Sequence, residues 1–177
     1  MVRPMHIRMP RAATGLTVVE LMIVVAVIAI AGLLVVPMLG GTQVESLRGA
    51  VQLVIADLEV AQIESISHSD DPRCVVFFDD NTGYHVAAAS DLDTPITDPI
   101  SKGPYTVTFG QGRAASLKGV SIADVAADGD RILGFEPYGN LDQTTAASIT
   151  LQAADSRVTI TIDPITGQAS SGPITQP

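Results

Sequence analysis

The sequence predicts an α+β protein: a long N-terminal helix, apolar in its first half and amphipathic in its second, packed on a head built from antiparallel β-sheet. Three observations carry this. Leu21 to Leu39 runs for nineteen residues without a charge, apolar positions then recur at helical spacing as far as Ala61, and beyond Pro72 the period changes to that of strands.

The apolar run is preceded by Arg3, Arg8 and Arg11 and by no acidic residue. A secretory signal core is usually about 7–15 residues and a bilayer span about 20, so the length favours an anchor. The three cations place its N-terminal side in the cytoplasm and the bulk of the chain outside. Glu20 interrupts the apolar stretch, with Leu16 to Val19 before it and Leu21 onward after it. A carboxylate at the bilayer centre costs roughly 2.5–3.5 kcal/mol on insertion scales, less near the interface, and normally has a partner. Two readings follow: Glu20 faces headgroups at the end of the helix, or it awaits a cation.

Pro37 removes an amide donor and crowds the preceding turn, which predicts a kink or local opening of the helix. Gly40-Gly41 follows. From Val44 the apolar positions Leu47, Val51, Val54, Leu58 and Ala61 step by 3 or 4, which marks one face of a second helical half. Glu45, Arg48, Asp57, Glu59 and Glu64 fall mainly off that stripe. Helix termination is expected at His68 to Pro72, because proline disfavours a helical conformation at Asp71.

Arg73–Asp79 and Gly83–Ala89 read as a hairpin across an Asp80-Asn81-Thr82-Gly83 turn. Asp91–Pro104, with three prolines and three aspartates, reads as a surface loop. Further strands are expected over Tyr105–Gly110, Arg131–Glu136, Ser148–Gln152 and Arg157–Asp163. In the last, Val158, Ile160 and Ile162 alternate with Thr159 and Thr161 as in a half-buried strand. The Gly, Ser, Pro, Thr and Gln of the C-terminal segment predict a loose tail. The expected organisation is therefore a basic N-terminal stretch, an apolar helical half up to residue 39, an amphipathic half at 40–68 and a β-rich head at 69–177.

Chemistry is sparse. Cys74 is the single cysteine, so no intramolecular disulfide can form, and its apolar neighbours Val75, Val76, Phe77 and Phe78 predict burial. His68 and His85 lack partners at metal-ligand spacing. No phosphate loop, nucleophile elbow or Cys–His pairing is present, and Gly110-Gln111-Gly112 lacks the strand-to-helix context of a dinucleotide site. No enzyme activity, cofactor or metal is expected. Asp70-Asp71 with Asp79-Asp80-Asn81, and Asp91, Asp93 and Asp98, suit calcium in composition but not in spacing, and they read as turn formers.

Gly15-Leu16-Thr17-Val18-Val19-Glu20 resembles the class III signal of type IV prepilins and pseudopilins. The resemblance implies that a prepilin peptidase cuts between Gly15 and Leu16, that Leu16 is N-methylated, and that Glu20 is the fifth mature residue. The first mature residue of that family is usually Phe, and Leu16 keeps its large apolar character. Pro37 falls at the twenty-second mature position, where many pilins carry a bending proline. In the head, Asp57 to Ala61, Gly134-Phe135-Glu136-Pro137-Tyr138-Gly139 and Asp163 to Gly167 resemble the GspH/FimT group of minor pseudopilins and minor pilins.

That resemblance implies a pilin-like fold with a transmembrane first half. It also implies an inner-membrane precursor whose head is periplasmic, and a place in a type II secretion pseudopilus or, alternatively, a type IV pilus serving assembly, adhesion or DNA uptake. The implied partners are other pilin or pseudopilin subunits, the prepilin peptidase and the inner-membrane assembly platform. Glu20 would pair with the N-terminal ammonium of an adjacent subunit inside the apolar filament core. Cleavage would leave seven cations against nineteen carboxylates, a net charge of −12. Such a surface repels phosphate backbones, and the segment from Ile162 to Pro177 contains no Lys or Arg, so nucleic-acid binding is disfavoured.

Overall fold

The computed structural model describes residues 17–39 and 42–176, and the side chains of 17–28 and 43–176 among them. The chain divides into two compact units at Gly40.

The first unit holds α1, Val18–Leu39. Thr17 starts it: the Thr17 carbonyl accepts from the Leu21 amide at 3.1 Å, and Thr17 Oγ1 accepts from the Glu20 amide at 3.2 Å. This is an N-cap, which satisfies an amide that the first turn would otherwise leave without a partner. The helix continues through Pro37 to Leu39. The side chains of 29–39, on which most of the expected span falls, lie outside the described residues. Among the described residues no helix is long and apolar enough to cross a membrane.

The second unit begins with α2, Thr42–Ser67. Leu47, Ala50, Val51, Val54, Leu58 and Ala61 are buried on the face that the 3–4 spacing marks out. The helix ends as expected, the His68 amide donating to the Glu64 carbonyl at 2.9 Å. Buried Ser65 ties that end to the first strand, its Oγ accepting from the Arg73 amide at 2.7 Å.

Two antiparallel sheets follow, where the sequence suggests one. The first is built on the expected hairpin of β1, Arg73–Phe77, and β2, Gly83–Ala88, in register from Arg73 opposite Ala88 to Phe77 opposite Tyr84. Asp91–Pro95 is not loop but the edge strand β3. Proline and charge are tolerated there because an edge strand leaves half its ladder unpaired. The far edge of β2 is shared by β3 and by β4, Thr106–Thr108. The other side of β1 takes β6, Ile132–Gly134.

The second sheet runs β5, Val120–Ala126; β7, Ala147–Ala153; β8, Ser156–Ile162; and β9, Ala169–Ser171. β7 and β8 show the strict inward alternation the sequence promises, and Ile149, Leu151, Ile160 and Ile162 are fully enclosed. A two-residue turn joins them, with Ala154 at φ 51°. β5 and β9 are strands the sequence reading leaves out. β9 also corrects the loose tail, since Ala169–Ser171 pairs with β8 and Arg157 and Thr175 exchange two backbone bonds of 2.8 Å. Backbone pairing at a sheet edge needs no apolar side chains, so composition alone misjudges this segment. α2 packs on β1 of the first sheet and on β5, β7, β8 and β9 of the second, so one helix closes both.

Candidate functional site

Gly15 and Leu16 lie outside the described residues, as does the side chain of Pro37. Glu20 is described: it is exposed in the first turn of α1, and among the described residues it has no ion-pair partner. Thr17 and Glu20 stand at the spacing of a capping box, with the half formed by the Thr17 hydroxyl present. A carboxylate in the first turn is also favoured by the positive end of the helix dipole. The backbone therefore tolerates Glu20 without neutralising it.

A second carboxylate has the opposite surroundings. Asp57, on α2, is only 3% exposed, and three side chains from the head converge on it. Tyr84 Oη of β2 donates to Oδ2 at 2.6 Å, Tyr105 Oη donates to Oδ1 at 3.0 Å, and Arg113 Nη2 donates to Oδ2 at 2.6 Å. The Arg113 guanidinium also lies 4.7 Å from the centre of the Tyr105 ring, a cation–π distance. Burial pushes the Asp57 carboxyl up from its ordinary value, while Tyr84, Arg113 and Tyr105 act against that rise. Burial and the neighbouring Asp57 push Tyr105 up to about 12 and Tyr84 well above its ordinary value, so both hydroxyls stay donors. Every strong acceptor here is occupied from within the chain. The cluster fastens α2 to the first sheet and exposes no nucleophile.

One turn further along α2, Gln62 reaches two loops at once. Its Nε2 donates to the Gly139 carbonyl at 2.6 Å and to the Thr166 carbonyl at 2.8 Å. The Leu141 amide joins the same loops by donating to the Pro164 carbonyl at 3.0 Å. Gly167, at φ +67°, is held against the Gly139 carbonyl and Gln62, where any β-carbon would collide. Gln62, the residue that follows Asp57–Ala61, thus joins the Gly134–Gly139 and Asp163–Gly167 segments. Nothing in the sequence marks Gln62 beyond its place one turn after Leu58.

The remaining candidates are structural in their geometry. Cys74 is buried, as its apolar neighbours imply. Burial, reinforced by Asp142, Asp71 and Asp130, pushes its thiol up to about 11, which keeps it protonated and a poor nucleophile. His85 is largely buried, its Nε2 2.8 Å from the Leu92 carbonyl, to which it donates. His68 is half-exposed and sits 3.3 Å from Glu64.

Asp80, Asp91 and Asp98 spend oxygens on turns, and Asp71 spends its own on Ser90. Asp80 accepts from the Thr82 amide at 3.0 Å and hydroxyl at 2.7 Å. Asp98 accepts from the Ile100 amide and Ser101 hydroxyl, both at 2.8 Å, and Asp71 from the Ser90 amide and hydroxyl at 3.1 and 2.9 Å. Among the described residues no group of three or more His, Cys, Asp or Glu is placed to hold a metal ion.

The fold and these contacts define an α+β protein with two helices and antiparallel sheets, in which polar contacts fasten α2 to the head. No protein-family model, curated protein or solved structure matches the chain.

Proposed function

We propose that this chain is a minor pseudopilin of the GspH type, anchored by α1 in the inner membrane until it enters a type II secretion pseudopilus or its tip. Its work is binding, not catalysis. The observation that carries this reading is Glu20: an exposed carboxylate at the start of an apolar helix, five residues after Gly15, with no cation beside it among the described residues. In an apolar filament core an unpaired charge is penalised and attraction to an opposite charge is strengthened. The freed ammonium of Leu16 on a neighbouring subunit supplies that charge and sets the axial register. The joining of Gly134–Gly139 to Asp163–Gly167 through Gln62 supports the same family, and the mature charge of −12 favours secretion over DNA uptake.

The test is the mass of the mature N-terminus in cells that express a prepilin peptidase. A chain beginning at N-methylated Leu16 is expected, and an intact Met1 would overturn the reading.

A further inference from the structure

Between the Gly134–Gly139 and Asp163–Gly167 segments lies a groove of about 450 Å³, within the size range of ligand sites. Its lips are Tyr138 and Ile165, 91% and 82% exposed, large apolar surfaces that the head leaves uncovered. Ile66 adds to the patch, with Cδ1 3.0 Å from where a β-carbon on Gly139 would stand. Leu141 and Pro164 line the groove together with the carboxylates of Glu136 and Asp142. No Lys or Arg lines it, and among the described residues none pairs with either carboxylate.

The groove is stiff. Gln62 clamps both lips from below, the Leu141–Pro164 bond crosses between them, and the Glu136 amide and carbonyl close the Tyr138 turn through Asn140 and Gly139, each at 2.8 Å. A preformed surface loses little entropy on binding. Its charge is also concentrated: burial raises the Asp142 carboxyl, and Asp130, Asp128 and Glu136 raise it further, which reports a negative field around the groove.

We infer that this groove docks a segment of a different protein in which Lys or Arg side chains flank an aliphatic or aromatic one. The apolar side chain packs between Tyr138 and Ile165, and the cations meet Glu136, Asp142 and the Tyr138 ring face. A second copy of this chain brings the same negative field, and anionic lipid or nucleic acid is repelled by it. The inference uses the groove alone and does not depend on cleavage at Gly15.

The test uses the full-length protein in detergent and fluorescent pentapeptides read by anisotropy at about 150 mM salt, where diffuse attraction is largely screened. Lys-Leu-Arg-Phe-Lys is expected to bind. Counterparts with Glu for each cation, or Ser for each apolar residue, are expected to bind about tenfold more weakly or not at all. Tyr138→Ser, and Glu136→Gln with Asp142→Asn, should each weaken binding about tenfold, whereas Asp93→Asn with Asp155→Asn, at exposed positions outside the groove lining, should leave it unchanged. Melting temperatures read separately whether each variant keeps the fold, and a binding loss in a variant that melts no lower than wild type isolates the groove. Failure of the first peptide to bind overturns the inference, as does equal binding of the Ser counterpart or equal weakening by the remote pair. Self-association abolished by Tyr138→Ser assigns the groove to a second copy and overturns it as well.

Discussion

The two helices of this chain treat their carboxylates in opposite ways. α2 carries Asp57 on its buried side and surrounds it with Tyr84, Tyr105 and Arg113. α1 carries Glu20 in its first turn, and Val18 to Ile28, apolar apart from that glutamate, stay exposed within their own unit. In α2 both the apolar stripe and the charge are satisfied by the head. In α1 neither is met by a described residue. An amphipathic helix with paired polar groups needs no partner to fold, while a helix apolar on every side needs a lipid or protein environment.

Breaking the satisfied side of that comparison should have the largest effect. Asp57→Ala removes the acceptor shared by two tyrosines and an arginine and leaves the Arg113 charge without its partner. Arg113 is 37% exposed and stays hydrated, so the loss comes from the buried Tyr84 and Tyr105 hydroxyls, about 1–3 kcal/mol for each left unpaired, measured by denaturant unfolding of the head. Asp57→Asn keeps an oxygen for Tyr84 or Tyr105 and should lose less. Equal stability of Asp57→Ala and wild type would show that the cluster does not fasten α2.

Gln62→Ala comes next. It strips one donor from two backbone carbonyls, and about 1–2 kcal/mol is expected for a partly buried bond of this kind. Because the bond also holds Gly139 against Thr166, amide exchange should quicken in both loops while the β7–β8 hairpin keeps its protection. Uniform quickening across the head would contradict a local clasp.

How far these contacts can be read from sequence differs by element. The α2 stripe, the β1–β2 hairpin and the β7–β8 pair are legible because spacing and alternation report burial directly. β5 and β9 are not, because Val120–Ala126 keeps its inward alternation only over Val120 and Ile122 before the irregularity between Ile122 and Asp124, and Ala169–Ser171 is three residues with no large apolar side chain. β3 is hidden by proline and aspartate, which mark loops and edge strands alike. Asp57 corrects the reading that sets it off the stripe with the other charged residues: it lies three residues after Val54 and four before Ala61 and is buried on that face, which a carboxylate tolerates only because its partners come from the fold. What the spacing could not supply is Arg113, which is distant in sequence and reaches Asp57 only through the fold. The Gly15 to Glu20 signal is the reverse case, plain in sequence and on the side of the chain where the described contacts are fewest.

Acid should distinguish the exposed turns from the buried carboxylate. Backbone and side-chain donors hold Asp163, Asp80 and Asp98 below the ordinary value of 3.8. Their contribution to stability is therefore complete above that value and is lost as pH falls through their lower native values. Asp57 and Asp142, raised mainly by burial, run the other way, since the native state takes up their protons first. The melting temperature is thus expected to change little between about pH 7 and 5 and to drop below about pH 4. Asp163→Asn removes one titrating turn, and its drop should be shallower; an unchanged acid limb would mean that the Asp163 turn does not report on folding.

The smallest effect on folding is expected at Glu20, and the largest on assembly. Glu20→Ala gives up a favourable first-turn charge, typically about 0.3–1 kcal/mol at an exposed helix start. That loss falls on α1, and the melting of the separate head unit should stay at its wild-type value. Cleavage and membrane insertion should persist as well, because removing a carboxylate makes the span more apolar. If the chain assembles as proposed, incorporation into filaments should nevertheless fall, since a neighbour's ammonium would lose its partner in an apolar surrounding. Glu20→Gln separates charge from shape: it keeps the length and the hydrogen-bonding oxygen but cannot neutralise an ammonium. If Gln assembles as wild type does, Glu20 acts as a cap and not as a counter-ion. If Gln fails as Ala does while the head melts normally, the charge left open on α1 is the one a second subunit closes.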